Sequence, residues 1–309
     1  MARHTPPRPV AVEELFPELK PLGRRALRLH PRTGVPVYEG SSFGGPLRWP
    51  ADEPWPSCAE EHYTEDYLKN KDLEKYRHAA VVPMVPIVQL YASDAPGVPF
   101  PPGSDLFQVL WCPFYHGPGG EERYPLVRVF WRNAADVRHV LATPPECADA
   151  PEGQVPVPCV VHPEQVTEYP HGFELPKDVG RVIDGRLDRL EETTGWKYHY
   201  HLSVAPGTKV GGYPYNLIAA TSDHSCERCG GPVEHLLSVH SDEYDGESAR
   251  TWLPVEDRLD DNSVPSWYSE GGEAVQRPHG LELGYGGDLY VFECRSCPDR
   301  PTQTNFYFN

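Results

Sequence analysis

Four cysteines of the chain fall in two short pairs, Cys226-Glu-Arg-Cys229 and Cys294-Arg-Ser-Cys297. Thiolates separated by two residues on a tight turn reach one cation together, and two such pairs complete the tetrahedron that zinc prefers. Gly230 and Gly231 directly follow the second thiol, giving the backbone the freedom to turn its amides toward the sulfurs. The expectation is one structural zinc ion held by Cys226, Cys229, Cys294 and Cys297. Four sulfurs leave no open position for water, which argues against a catalytic zinc. Replacement of one sulfur by His224, His235 or His240 is the alternative within this site. A thioredoxin-like redox use of either pair would need a βαβ setting, and neither pair begins a helix pattern.

Little else in the sequence points to chemistry. His162-Pro163-Glu164 matches the His-x-Glu of zinc deaminases, but that signature also needs Pro-Cys-x-x-Cys, and Ser225 and Glu293 precede the two pairs here. There is no Gly-x-Ser-x-Gly elbow, no His-Glu-x-x-His and no phosphate-binding loop. With 45 carboxylates and 14 histidines, an acid–base pair assembled in three dimensions stays open. An enzyme with a carboxylate and histidine site in a cleft between two halves is therefore the alternative reading.

The elements that must position the thiols are short and extended. Thirty-six prolines and 27 glycines in 309 residues interrupt helices and suit strands joined by turns. The expected fold is mainly β (α+β): two duplicated antiparallel β-rich halves, a few peripheral helices and a zinc knuckle in the second half. The chain divides into an N-terminal arm (1–25), a first β-rich repeat (26–145), a Pro-rich connector with a helix (146–195) and a second repeat (196–309). Glu60 to Arg77 is polar and predicts a surface helix. Val81 to Tyr91, interrupted by Pro83 and Pro86, predicts an edge strand. Leu106–Tyr115 and Leu126–Arg132 predict a hairpin about a turn at His116-Gly117-Pro118. Val179, Val182, Ile183, Leu187 and Leu190 recur at helical spacing and stop at Gly195. Asn305 to Phe308 predicts a terminal strand.

The halves resemble one another. Gly44-Gly45-Pro46 has a counterpart in Gly211-Gly212-Tyr213-Pro214, and Asp105–Cys112 parallels Asp288–Cys294 with one inserted residue. Cys58 and Cys112 stand alone where the second half keeps its pairs. The expectation is a duplication whose first copy has lost its metal site.

Charge narrows the partners. The net charge of −17 opposes nucleic-acid phosphates and favours a basic polypeptide. Between 241 and 280 runs a long acidic loop in which Asp242, Glu243, Asp260 and Asp261 alternate with Tyr244, Trp252, Trp267 and Tyr268. Aromatic anchors beside carboxylates make these eight the expected partner-binding residues. No stretch is apolar for the about 18 residues a membrane span requires. With no secretory signal and two Cys-x-x-Cys pairs, the expected location is the cytoplasm.

A set of motifs resembles the YwqG-like bacterial proteins, a family known as a domain of unknown function. They are Ala26-Leu-Arg-Leu-His-Pro-Arg32, Ser41-Ser-Phe-Gly-Gly-Pro46 with Trp49-Pro50, Val85-Pro-Ile-Val-Gln-Leu90, Lys209-Val-Gly-Gly-Tyr-Pro214, the first cysteine pair with Gly230, and Gly287-Asp-Leu-Tyr-Val-Phe292. They cover the chain from about residue 26 onward. The family is similar to a wider group that includes programmed cell death protein two and other dedicated chaperones of a ribosomal protein. The resemblance implies a duplicated, non-catalytic module that holds peptides, chaperone-like toward a basic client. A toxin-neutralising immunity protein would be a binding module of the same physical kind. Residues 60–80 and 241–280 are longer than the family pattern.

Overall fold

The computed structural model describes residues 2–63, 77–78, 81–116, 125–216, 225–266, 268–284 and 286–307. The fold is mainly β. In chain order the strands are β1 (Arg24–Arg28), β2 (Arg32–Thr33), β3 (Ser42–Phe43), β4 (Ser57–Cys58), β5 (His62–Tyr63), β6 (Arg77–His78), β7 (Val82–Pro83), β8 (Val85–Tyr91) and β9 (Leu106–Trp111). There follow β10 (Tyr115–His116), β11 (Val127–Arg132), β12 (Cys159–Val160), β13 (Glu164–Glu168), β14 (Lys209–Gly211), β15 (Glu234–His240), β16 (Asp288–Glu293) and β17 (Thr302–Tyr307). The helices are α1 (Val12–Leu15), α2 (Lys177–Thr194), α3 (Ala249–Trp252) and α4 (Glu270–Gln276).

Two six-stranded sheets carry the fold among the described residues, and their last four strands follow the same chain order. One runs β13-β1-β14-β15-β16-β17, the other β2-β12-β3-β8-β9-β11. In each, the last four strands run in chain order across the sheet, and the first two are drawn from distant parts of the chain. The duplication read from the sequence is thus visible as topology. Glycines with positive φ mark the end of the third strand of both sheets, at Gly44 and Gly45 in one and Gly211 and Gly212 in the other.

The compact units are not linear halves. One comprises Met1–His30, His162–Arg277 and Tyr290–Gln303; the other comprises Pro31–Val161, Pro278–Leu289 and Thr304–Asn309. Residues 24–28, expected at the junction of arm and first repeat, form a strand paired on both sides, with β13 and β14. The stretch expected as a connector contains β12 and β13. Their sequences, Cys-Val and Glu-Gln-Val-Thr-Glu, are too short or too polar to show a buried face.

The first unit builds one core where the apolar stripe of α2 meets the N-terminal segment: Ile183 and Leu190 pack with Val12, Phe16, Leu19, Tyr169 and Leu202. Gly195 ends α2 in the left-handed conformation, as the sequence predicts, with φ 73°. Val182 lies on the outer side of the helix.

In the second unit β8 is an interior strand, not the expected edge. It pairs with β9 on one side and β3 on the other, and a register shift between Pro86 and Val88 absorbs a proline that cannot donate to a ladder. The hairpin of β9 and β11 forms in register from Leu106↔Arg132 to Trp111↔Val127. The helix expected over 60–77 falls largely outside the described residues, and its ends at 62–63 and 77–78 are strands.

Candidate metal centres

The first cysteine pair sits on a turn directly before β15. The Cys226 amide donates to Gly231 O at 2.8 Å and the Gly230 amide to Cys226 O at 2.8 Å, closing the turn with Gly230 at φ 69°. The second pair forms the turn between β16 and β17. There the Cys294 amide donates to Pro301 O and the Arg300 amide to Cys297 O, both at 3.0 Å. The two turns meet. All four sulfurs lie within 4.8 Å of one another, and Cys229 Sγ is 3.6 Å from Cys294 Sγ. Zinc–sulfur bonds of about 2.3 Å at tetrahedral angles put neighbouring sulfurs about 3.8 Å apart, so the donor set fits a zinc-sized cation. Cys226, Cys294 and Cys297 are buried and Cys229 is exposed.

The thiols are prepared for a cation. Backbone amides of Cys229 and Arg228 draw the Cys226 thiol down to about 7. Contact with the Cys229 sulfur, together with burial, pushes Cys297 up to about 12, and burial raises Cys294. Thiols this close cannot all ionise against one another, and a divalent cation removes that conflict. Around the turns, Arg295 pairs with Glu234 at 2.5 Å, Arg300 with Glu293 at 3.2 Å, and Arg228 with Asp299.

His235 and His240 take no part. His235 Nδ1 donates to Gly211 O (2.8 Å) and its Nε2 accepts from Ser238 Oγ (2.9 Å), and His240 Nδ1 accepts from the Gly207 amide. His224 lies outside the described residues.

The first repeat, expected to have lost its site, also brings together four residues that could hold a metal ion. Cys58, His62, Cys112 and His116 come together with one donor atom each, all within 4.8 Å, and all four residues are buried. Cys58 ends β4, paired opposite Val82 of β7. His62 and His116 are register partners on β5 and β10, which places their rings on one face with centroids 5.2 Å apart. Cys112 follows β9 directly and packs with Cys58, Met84, Leu110 and Phe114. Cys58 Sγ lies 3.3 Å from His116 Nε2. The Cys112 thiol, His116 and His62 hold the Cys58 thiol well below its ordinary value, and that thiolate in turn pushes Cys112 up.

Sequence reasoning missed the two histidines because it looked for a second cysteine pair. The available signal was a repeated step, Cys58-Ala-Glu-Glu-His62 and Cys112-Pro-Phe-Tyr-His116. The centres occupy corresponding places. Cys112 follows β9 and Cys294 follows β16, the fifth strand of each sheet, while Cys58 and Cys226 precede the fourth, β8 and β15.

The expected partner-binding residues separate into three groups. Tyr244, Trp252 and Glu243 are buried. Tyr244 packs with Ala249 and Leu253, Trp252 Nε1 donates to Tyr200 O at 3.0 Å, and Glu243 accepts from Thr208 Oγ1 at 2.6 Å. Their stretch, expected to be a loop, carries α3 and α4 and contributes to the core, because its aromatics are spaced to fold onto α3. Asp242 accepts from Gln276 at 2.7 Å and pairs with Arg277. Asp260, Asp261 and Tyr268 are at the surface, Tyr268 with 96% of its area exposed. Trp267 lies outside the described residues.

One further cavity, of about 450 Å³, is lined by His171, His199, Tyr198 and the carboxylates of Asp184, Asp188 and Glu191 along α2, beside the exposed Phe173. No protein-family model matches the chain, and comparison with curated proteins returns no significant match. No helix among the described residues is long and apolar enough to cross a membrane.

Proposed function

We propose that this protein is a non-catalytic binding module, stabilised by zinc at Cys226, Cys229, Cys294 and Cys297, that holds a basic protein or peptide. The observation that carries the reading is the pairing of a net charge of −17 with carboxylates and aromatics left at the surface. Asp260 and Asp261 stand clear of the fold with the nearly bare Tyr268 eight and seven residues on. The α2 cavity adds three carboxylates beside Phe173 and Tyr198, a setting that suits a lysine or arginine side chain. A donor set of four cysteines supports a structural rather than catalytic ion. Kinship with the YwqG-like proteins, a chaperone-like role and a cytoplasmic location belong to the same proposal. The thiol clusters support the location, since they hold metal only in reduced form.

The test is to crosslink the tagged protein in its native host and identify what it captures. One dominant basic protein is expected, with capture lost on raising salt and in the Asp260→Asn/Asp261→Asn/Tyr268→Ala variant. Capture that survives all three substitutions and high salt would overturn the assignment of this surface.

The same cavity carries a second reading, an enzyme. Burial holds His171 down to about 4 and lowers His199, so both imidazoles are neutral bases at pH 7, with ring centroids 5.5 Å apart. A small molecule that protects His199 from diethyl pyrocarbonate, with no basic protein captured, would favour it.

A further inference from the structure

We propose that Cys58, His62, Cys112 and His116 bind a second zinc ion, independently of the four-cysteine centre and of any client. The case rests on donor type, spacing, burial and charge.

Two sulfurs and two imidazoles are the donors of closed structural zinc sites, and they disfavour magnesium and calcium, which take oxygen. At tetrahedral angles a zinc-bound sulfur and nitrogen lie about 3.6 Å apart. Cys58 Sγ and His116 Nε2 stand at 3.3 Å, and all four donors lie within 4.8 Å of one another. The convergence is built by the fold: a cross-strand pair supplies the two histidines, and the ends of β4 and β9 supply the two sulfurs.

Charge accounts for the fuller burial of this centre, whose four residues are all buried. Zinc with two thiolates and two neutral imidazoles has no net charge, so the whole unit tolerates a low-dielectric surrounding. Zinc with four thiolates carries two negative charges, and that centre keeps Cys229 at the surface. On binding, any thiol still protonated gives up its proton to solvent and each imidazole offers a lone pair, so no oxidant or reductant is required.

The rival use of the same atoms is a cysteine nucleophile, Cys58, activated by His116. A nucleophile must be reached by substrate, and Cys58 and His116 are both buried. That use also leaves the convergence of Cys112 and His62 without a role.

X-ray absorption at the zinc edge, with metal analysis of the intact full-length protein, tests the proposal without any variant. About two zinc ions per chain are expected, with an average shell of three sulfurs and one nitrogen. A single zinc with a shell of four sulfurs would overturn the second site and leave the four-cysteine centre standing. A shell without nitrogen at any stoichiometry, or no zinc, would overturn it as well. Cobalt substitution of Cys226→Ser/Cys294→Ser gives an independent arm. The remaining ion should show d–d bands at shorter wavelength and about half the thiolate charge transfer per metal of a four-sulfur site. Rapid alkylation of Cys58 by iodoacetamide in the native, zinc-loaded protein would point instead to the nucleophile.

Discussion

Lys209 Nζ lies 2.5 Å from Glu168 Oε1, and neither side chain reaches solvent. Glu168 also accepts from the Ala205 amide at 2.9 Å and the Tyr213 amide at 2.8 Å, so the carboxylate fastens three segments around β14. Burial pulls the Lys209 ammonium down to about 8, even with the carboxylate beside it. A pair of this kind is a weak source of net stability, but breaking it strands a charge. Lys209→Met alone should therefore lower the stability to urea by about 3–5 kcal/mol. Lys209→Met/Glu168→Gln should recover part of the loss, because no charge is stranded and the amide oxygen still accepts from one of the two backbone amides, which bond different carboxylate oxygens.

Gly212 stands against the same carboxylate. A Cβ there would lie 2.2 Å from Glu168 Oε2 and 2.7 Å from the Ala26 Cβ, at φ +70°. Gly195 has nearly the same φ, +73°, and nothing within 4 Å of its Cβ position. Gly195→Ala should lower stability by about 1 kcal/mol, the left-handed strain alone. Gly212→Ala should exceed it by several-fold, or prevent folding. Equal midpoints for the two variants in thermal unfolding would refute the contact.

Acid should unfold this protein through His30. The residue is buried, at φ 44°, with Nε2 3.0 Å from Glu164 Oε2. Burial, reinforced by the Arg28 charge and opposed by Glu164, lowers its pKa to about 4. The unfolded chain, with a histidine near 6.5, binds the extra proton between these values. Stability from this group is thus whole above about pH 6.5 and is lost as pH falls through 4. At pH 5 the loss is about 2 kcal/mol. His30→Asn suits the left-handed backbone and does not titrate. Its stability should therefore fall less steeply than the native protein's between pH 7 and 5. Measuring both across one pH series cancels the acid lability of the metal centres, and parallel slopes would exclude His30.

Removal of metal should be felt across the unit that holds Cys226. An ion at these four thiols would join turns separated by 64 residues, and closing so long a loop removes entropy from the unfolded chain. Chelation, or Cys226→Ser/Cys294→Ser, should lower stability by more than about 3 kcal/mol. Calorimetry with and without chelator reads this directly, and an unchanged transition would show that the four thiols hold no structural ion.

The four-cysteine centre was legible because its spacing is local: each pair fits on one turn, whatever surrounds it. The Cys58 centre was not, since the pairing of His62 with His116 depends on β5 meeting β10, a contact no local pattern announces. The hairpin of β9 and β11 and the apolar stripe of α2 were readable from periodicity. The strand pair of β1 with β13 was not, because Glu164 to Glu168 reads as polar connector until Lys209 supplies a buried partner for Glu168. Charge and aromatic content pointed to Tyr244 and Trp252 as binding anchors, yet burial is decided by neighbours, and Tyr200 O and Leu253 claim them.

The interleaving of the two units constrains how the protein is made. A ribosome delivers the chain from one end, and most two-domain proteins finish the leading domain while the trailing one is still inside. Here one unit draws on residues up to Gln303 and the other on residues beyond it. Neither is whole until the chain has been made past Tyr290, and Cys226 and Cys229 emerge well before their partners at 294 and 297. The nascent protein must therefore keep its unpaired strands and bare thiols from other molecules until the hairpin of β16 and β17 arrives.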